Sequence, residues 1–166
     1  MKNITKLLLV SMVVSITSCS IKAQQAKLSN GNLRVGTINY SVSVDDESTL
    51  ILINTDEIFS ITRNLALKNP GKDVIPRSEL KLNIPELTKI KNETIGANKL
   101  ITVRFYFDTN EKLMGLAYDV NKKNDLTVEQ FKKFDKEIRK TVKGSLARSF
   151  DYSTYLPYVV RSVVLK

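Results

Sequence analysis

The stretch Lys99-Leu-Ile-Thr-Val-Arg-Phe-Tyr-Phe-Asp-Thr-Asn-Glu-Lys-Leu-Met-Gly-Leu-Ala-Tyr-Asp-Val120 decides how the rest of this chain is read. Ile101, Val103, Phe105 and Phe107 alternate with Leu100, Thr102, Arg104 and Tyr106, which is the two-residue period of a strand with one face buried. Met114, Leu116, Tyr118 and Val120 repeat the pattern after a polar run, Asp108-Thr109-Asn110-Glu111-Lys112. Two such runs around one turn predict a β-hairpin.

A helix is predicted next, because its boundary signals stand in the right places. Thr127 and Gln130 form a capping box, Leu126 and Phe131 occupy the positions of a hydrophobic staple, and Gly144 is the expected left-handed stop. Val128, Phe131, Phe134, Ile138 and Val142 make its apolar stripe. Tyr155 to Leu165 reads as a final strand, with Pro157 near its start.

Upstream, Leu33 to Val44 reads as one strand in which Tyr40, Val42 and Val44 share the buried face, and Thr49 to Asn54 as a more buried partner. Asp45-Asp46-Glu47-Ser48 turns the chain between them. A helix capped by Thr55 or Asp56 is expected to carry Ile58, Ile61 and Leu65 inward and to stop before Asn69-Pro70-Gly71. Between 69 and 98 the pattern is mixed. Pro85 can open a short helix through Glu86, Leu87 and Ile90, or the segment is an irregular loop. The fold class expected from these elements is α+β: one domain, an antiparallel sheet of four to five strands with two main helices on one face.

The order strand, strand, helix, strand over residues 99–166, opened by Phe105-Tyr-Phe-Asp-Thr-Asn-Glu-Lys-Leu113, resembles the TonB C-terminal domain found in short Bacteroidetes envelope proteins. The turn has Glu111 where that family usually has Gly, and no Trp or Tyr-x-Pro motif follows the helix. The resemblance implies a domain that binds other proteins through an exposed strand edge rather than an enzyme.

The amino terminus reads as a secretion signal, residues 1–18, with Lys2 and Lys6 ahead of an apolar run from Leu7 to Val14. That run is well short of the roughly 20 residues that a membrane span needs. Ile16-Thr17-Ser18-Cys19 has the form of a lipobox, which predicts a diacylglycerol on the Cys19 thiol and cleavage before it. The rival is ordinary cleavage after Ser20 or Ala23, which discards Cys19 and yields a soluble periplasmic or secreted protein. Ser20 rather than Asp after the cysteine favours the outer membrane, and no acidic patch follows, so the expected place is its periplasmic face. Residues 19–32 are polar and without apolar periodicity, and read as a tether. The domain is expected over 33–166, long enough to bury a core of its own.

There is no His and no Trp, and Cys19 is the single cysteine. Disulfides, Cys/His zinc sites and Ser-His-Asp or Cys-His nucleophiles are thereby excluded, since each needs an imidazole or a second thiol. No cofactor or metal is predicted: Asp108-x-Asn110 opens like a calcium loop but lacks the central Gly and the closing Glu. The acidic clusters Asp45-Asp46-Glu47 and Asp56-Glu57 fit turn chemistry and a helix N-terminus better than a pair of catalytic carboxylates.

The formal charge is +9, and +7 once residues 1–18 are removed, with 24 basic against 17 acidic residues. In the predicted helix Lys132, Lys136, Arg139 and Lys143 fall within about 60° of one another beside the apolar stripe. Asp135 can pair with Arg139, and Glu129 with Lys133. This flank would contact an anionic glycan or lipid headgroup near the membrane, with Tyr106, Tyr118, Tyr152, Tyr155 and Tyr158 as candidate aromatic neighbours. Nucleic acid is a poor partner for an exported protein. Two readings remain: a non-enzymatic, membrane-tethered periplasmic interaction module, or a carboxylate-based hydrolase or binder of anionic glycan or lipid. An unpaired sheet edge would favour the first, and a pocket joining two acidic side chains the second.

Overall fold

The hairpin read from residues 99–120 lies in the interior of a seven-stranded sheet, with strands on both sides of it. The computed structural model describes residues 26–54, 58, 60–148 and 150–166. In chain order the strands are β1 (Gly31–Val35), β2 (Ile38–Val44), β3 (Thr49–Ile53), β4 (Asp73–Ile75), β5 (Leu80–Leu82), β6 (Ile101–Asp108), β7 (Leu113–Asn121), β8 (Gly144–Leu146) and β9 (Tyr155–Leu165). The helices are α1 (Ser60–Lys68), α2 (Ile84–Thr94) and α3 (Val128–Thr141). The main sheet runs β1-β2-β3-β7-β6-β9-β4, and β5 and β8 form a separate two-stranded ribbon. Every pairing in the main sheet is antiparallel except β4 with β9. The fold is thus α+β, as expected, on a wider sheet than the predicted four to five strands.

The extra width has two sources. Leu33 to Val44 is not one strand: Gly36, at φ 61°, turns the chain so that Val35 pairs with Ile38 and Leu33 with Tyr40. Tyr40 and Val42 face the core as predicted, whereas Val44 is exposed. At the other edge β4 adds three residues alongside β9, with a register shift at Pro157 and Tyr158 where proline has no N–H to give a ladder.

Ile101, Val103, Phe105 and Phe107 point to one face of β6, all 1% exposed or less. Opposite them on β7 stand Leu116, Tyr118 and Val120, with Met114 displaced by a bulge between Tyr106 and Phe107. Phe131, Phe134 and Ile138 of α3 close over this surface, and α2 packs on α3. Pro85 does open α2, capped by Asn83, whose Oδ1 accepts from the Glu86 amide. The fully buried Lys91 donates from Nζ to the carbonyls of Gly96 (3.3 Å) and Ala97 (2.9 Å), so its ammonium is hydrogen-bonded to the turn that follows α2. On the sheet's other face Leu156 and Tyr158 are buried, and α1 is in contact with β9.

The capping box of α3 forms as read, but Gly144 does not end the helix in a left-handed turn. The helix stops at Val142 in extended conformation, and Gly144 lies in β8. Glycine is needed there for space: a Cβ would sit 2.7 Å from Leu80 Cδ1 and 2.9 Å from Phe107 Cε1. The left-handed residue of this region is Glu111, at φ 62°, in the hairpin turn. Its Oε1 accepts from the Leu146 amide at 2.8 Å, which ties the turn to β8 and accounts for a glutamate in a glycine-favouring conformation.

The predicted tether also ends earlier than Leu33. Leu28 N–H donates to the Leu126 carbonyl at 2.9 Å, Val128 N–H donates to the Ala26 carbonyl at 2.8 Å, and Lys27 pairs with Asp125 at 2.8 Å. Ala26 thereby satisfies one of the amides that a helix N-terminus leaves open. The signal, Cys19, and the caps proposed at Thr55 and Asp56 lie outside the described residues.

Two stability measurements check these assignments. Gly144→Ala should lower unfolding free energy by about 1–3 kcal/mol, because Leu80 and Phe107 are buried and have nowhere to move; an unchanged melting temperature would refute the steric role. Glu111→Ala should be less stable than Glu111→Gly by about 1 kcal/mol, since both lose the bond to Leu146 but only glycine relieves the left-handed backbone.

Candidate functional site

The most polar element of the interior is on α3. Asp135 stands four residues after Phe131 and one after Phe134, so helical geometry turns it inward with them, and it is 1% exposed. A lone buried carboxylate is expensive, and this one is compensated by three side chains. Its Oδ1 accepts from Tyr40 Oη at 2.6 Å, from Tyr118 Oη at 2.5 Å and from Arg139 Nε at 3.1 Å; Oδ2 also faces Arg139 Nε at 3.2 Å. Arg139 Nη2 in turn donates to Tyr40 Oη at 2.5 Å, and the guanidinium carbon lies 5.9 Å from the Tyr40 ring centroid. The rings of Tyr40 and Tyr118 each meet Phe131 edge-on, at 5.6 and 5.0 Å.

Burial, reinforced for Tyr40 by the Asp135 charge, pushes both phenols well above their ordinary range. Burial works against the Arg139 charge, yet Tyr40, Tyr118 and Asp135 together hold it above its usual value. Phenols that stay protonated and a carboxylate occupied by three donors supply neither a base nor a nucleophile at neutral pH. The chemistry of the cluster is to hold a guanidinium in place.

That guanidinium opens on a groove of about 420 Å³ between α3 and the turn joining β1 to β2. Val35, Gly36, Thr37 and Ile38 form one wall, and Lys132, Asp135, Lys136 and Arg139 the other. Three of the four cations predicted as a flank are thus brought together. Lys143 is not among them, because the helix has ended and the residue stands exposed beyond it. Lys132, not Lys133, makes the helical pair with Glu129, at 3.7 Å.

The predicted aromatic neighbours also go elsewhere. Tyr118 is sealed in the Asp135 cluster, while Tyr152 and Tyr155 stack on Phe150 with ring centroids 5.0 and 5.1 Å apart. Asp46 serves the β2–β3 turn, its Oδ1 accepting from the amide and the hydroxyl of Ser48, both at 2.7 Å. Asp108 holds the hairpin turn by accepting from the amides of Asn110 and Lys112. Among the described residues no group of three acidic, His or Cys side chains is placed to hold a metal.

The Asp135–Arg139 pair expected from helical spacing does form, and it lies in the interior. The signal was available: Asp135 falls inside the apolar stripe, and Tyr40 and Tyr118 both sit at inward positions of strands, where a hydroxyl needs a partner.

No family model matches the chain, and no curated protein matches it. Among solved structures the fold is similar to that of a DUF5043 family protein from Bacteroides uniformis, with a TM-score of 0.59 at 12% identity over 87% of this chain and 89% of that one. At that identity the likeness is one of fold.

The cluster predicts a pH dependence with a definite sign. Above about pH 10 the unfolded chain releases phenolic protons that native Tyr40 and Tyr118 keep. The stability from these groups should therefore be present below pH 10 and be lost above it, by about 2.7 kcal/mol in all from the two groups between pH 9 and 11. Chemical denaturation between pH 9 and 11 measures the slope, and Tyr40→Phe should make it shallower. Asp135→Ala should cost about 3–5 kcal/mol, since it strands Arg139 and two hydroxyls; a loss under 1 kcal/mol would show that the cluster does not hold α3 to the sheet.

Proposed function

We propose that this protein is a non-enzymatic interaction module of the bacterial envelope, tethered through a lipid on Cys19 to the periplasmic face of the outer membrane, that takes an anionic partner in the groove between α3 and the β1–β2 turn. The observation that carries this reading is the groove's composition. Val35 and Ile38 offer apolar surface, and Lys132, Lys136 and Arg139 stand across from them, the last fixed by Asp135. Interfaces combine such parts: an apolar contact for affinity and charge for orientation and choice of partner.

Two further features support binding over catalysis. β1 is the outermost strand on its side of the sheet, so its free edge can accept a strand from another chain. The elements β6, β7, α3 and β9, with the short β8 between the last two, follow the strand, strand, helix, strand order on which the expected strand-edge binding rests. A hydrolase would need a second carboxylate beside Asp135, and none lines the groove among the described residues.

Two measurements test the reading. Wild-type protein should take up labelled palmitate in cells and Cys19→Ala should not; an unlabelled wild type would make the protein soluble and remove the tether. Lys132→Glu with Lys136→Glu should abolish salt-sensitive retention on an immobilised polyanion such as heparin. Lys133→Glu with Lys140→Glu, an equal change in net charge at exposed sites outside the groove, should leave most of it. Equal loss in both pairs would mean that net charge alone is responsible.

A further inference from the structure

The β1–β2 turn, one wall of the groove, and the point where the chain joins the start of α3 lie at opposite ends of the sheet. Ala26 and Leu28 are bonded beside the first turn of α3, at the end where β6 begins and β7 finishes. α3 runs away from that end, so the groove's cations Lys132, Lys136 and Arg139 lie about 6, 12 and 16 Å along its axis from Val128. β2 spans about 20 Å between its own two ends, and its turn with β1 is at the far one.

Ala26 is seven residues on from Cys19, a contour of at most about 25 Å. With a lipid on Cys19, the orientation that puts the start of α3 toward the bilayer turns the β1–β2 end of the groove away from it.

What the groove adjoins narrows the choice further. Among the described residues nothing pairs with the outer edge of β1. Leu33 and Val35 of β1 face α3, because they pair with Tyr40 and Ile38 across the hairpin and Tyr40 is on the Asp135 side. A strand added at that edge would continue the pleat. Its alternate side chains would then point to the same side, toward Lys132 and Lys136, while those between them stand in line with Asn32 and Arg34.

We propose that the groove's occupant is an extended acidic peptide segment of another envelope protein, which adds to β1 as an eighth strand and sets every second, carboxylate-bearing side chain against Lys132 and Lys136. This rests on the groove being the binding site, and it commits that site to peptide rather than lipid or glycan.

The test uses the full processed chain in neutral phosphatidylcholine nanodiscs and a labelled ten-residue peptide alternating glutamate with threonine. A peptide of the same composition with its five glutamates in one block is the control. The alternating peptide should bind at least tenfold more tightly than the blocked one, slow hydrogen exchange in Gly31–Val35, and lose at least tenfold in affinity with Lys132→Glu and Lys136→Glu. Equal binding of the two peptides, protection before peptide is added of those β1 amides that point away from β2, or protection of the β1–β2 turn by phosphatidylglycerol nanodiscs in place of peptide would each overturn it. Retention of heparin with no preference between the peptides would overturn the peptide assignment and leave the groove as an anion site. The peptide arms can be repeated with Cys19→Ala in solution, so failure of the tether and failure of the peptide assignment give different results.

Discussion

Everything on the α3 side of this protein depends on one buried carboxylate. Removing Asp135 from water costs several kcal/mol, and the cost is offset only while Tyr40 of β2, Tyr118 of β7 and Arg139 of its own helix stay within reach. Three elements far apart in sequence are held to one geometry, because a carboxylate short of its donors is far less stable than one that has them. Apolar packing alone would tolerate a helix that slid or rotated by a fraction of a turn; the tyrosine hydroxyls do not. With Asp135 pointing inward, residues 139, 132 and 136 fall about 40°, 60° and 100° around the same side of the helix. The groove's cations are therefore set by the interior and not by contacts at the surface.

The apolar frame around this cluster is conventional in its parts. β6 is paired along its whole length on both edges and lends four side chains, Ile101 to Phe107, to the core. Strands are added outward from it until, at β1 and β4, the sheet ends in short segments. At both ends the chain makes a local irregularity: the glycine turn at Gly36 and the bulge at Pro157. Short edges and bulges limit indiscriminate pairing between sheets, so the free side of β1, five residues long, is confined in what it can accept.

Legibility followed the range of the forces involved. The 99–120 hairpin and the capping box at Thr127 are specified by neighbours within a few residues and formed as read, and at Pro85 the helix, one of two readings left open, is the one that forms. Gly36 was missed because its effect depends on backbone conformation, and its flanks, Leu33 to Val35 and Ile38 to Val42, read equally well as one uninterrupted strand. Gly144 was misread for the complementary reason. A glycine just past a helix has a local explanation, and the true one, the proximity of Leu80 and Phe107, comes from residues 64 and 37 positions away. β4, β5 and β8, three residues each, carry no periodicity long enough to detect. Of the groove, composition revealed the cations, but nothing local could indicate that the β1–β2 turn would form the opposite wall.

The bonds from Ala26 and Leu28 to the start of α3 also give the domain a mechanical polarity. Tension on the chain ahead of Ala26 enters at two backbone hydrogen bonds and one exposed ion pair, arranged one after another. Such an attachment opens by peeling, one bond at a time, and the first bond to go is the one that covers the Val128 amide. The sheet is loaded only after that, through β1, which five residue pairs hold to β2. A weak clasp thus stands in series with a stronger one, and a modest pull lengthens the chain ahead of β1 before it disturbs the core.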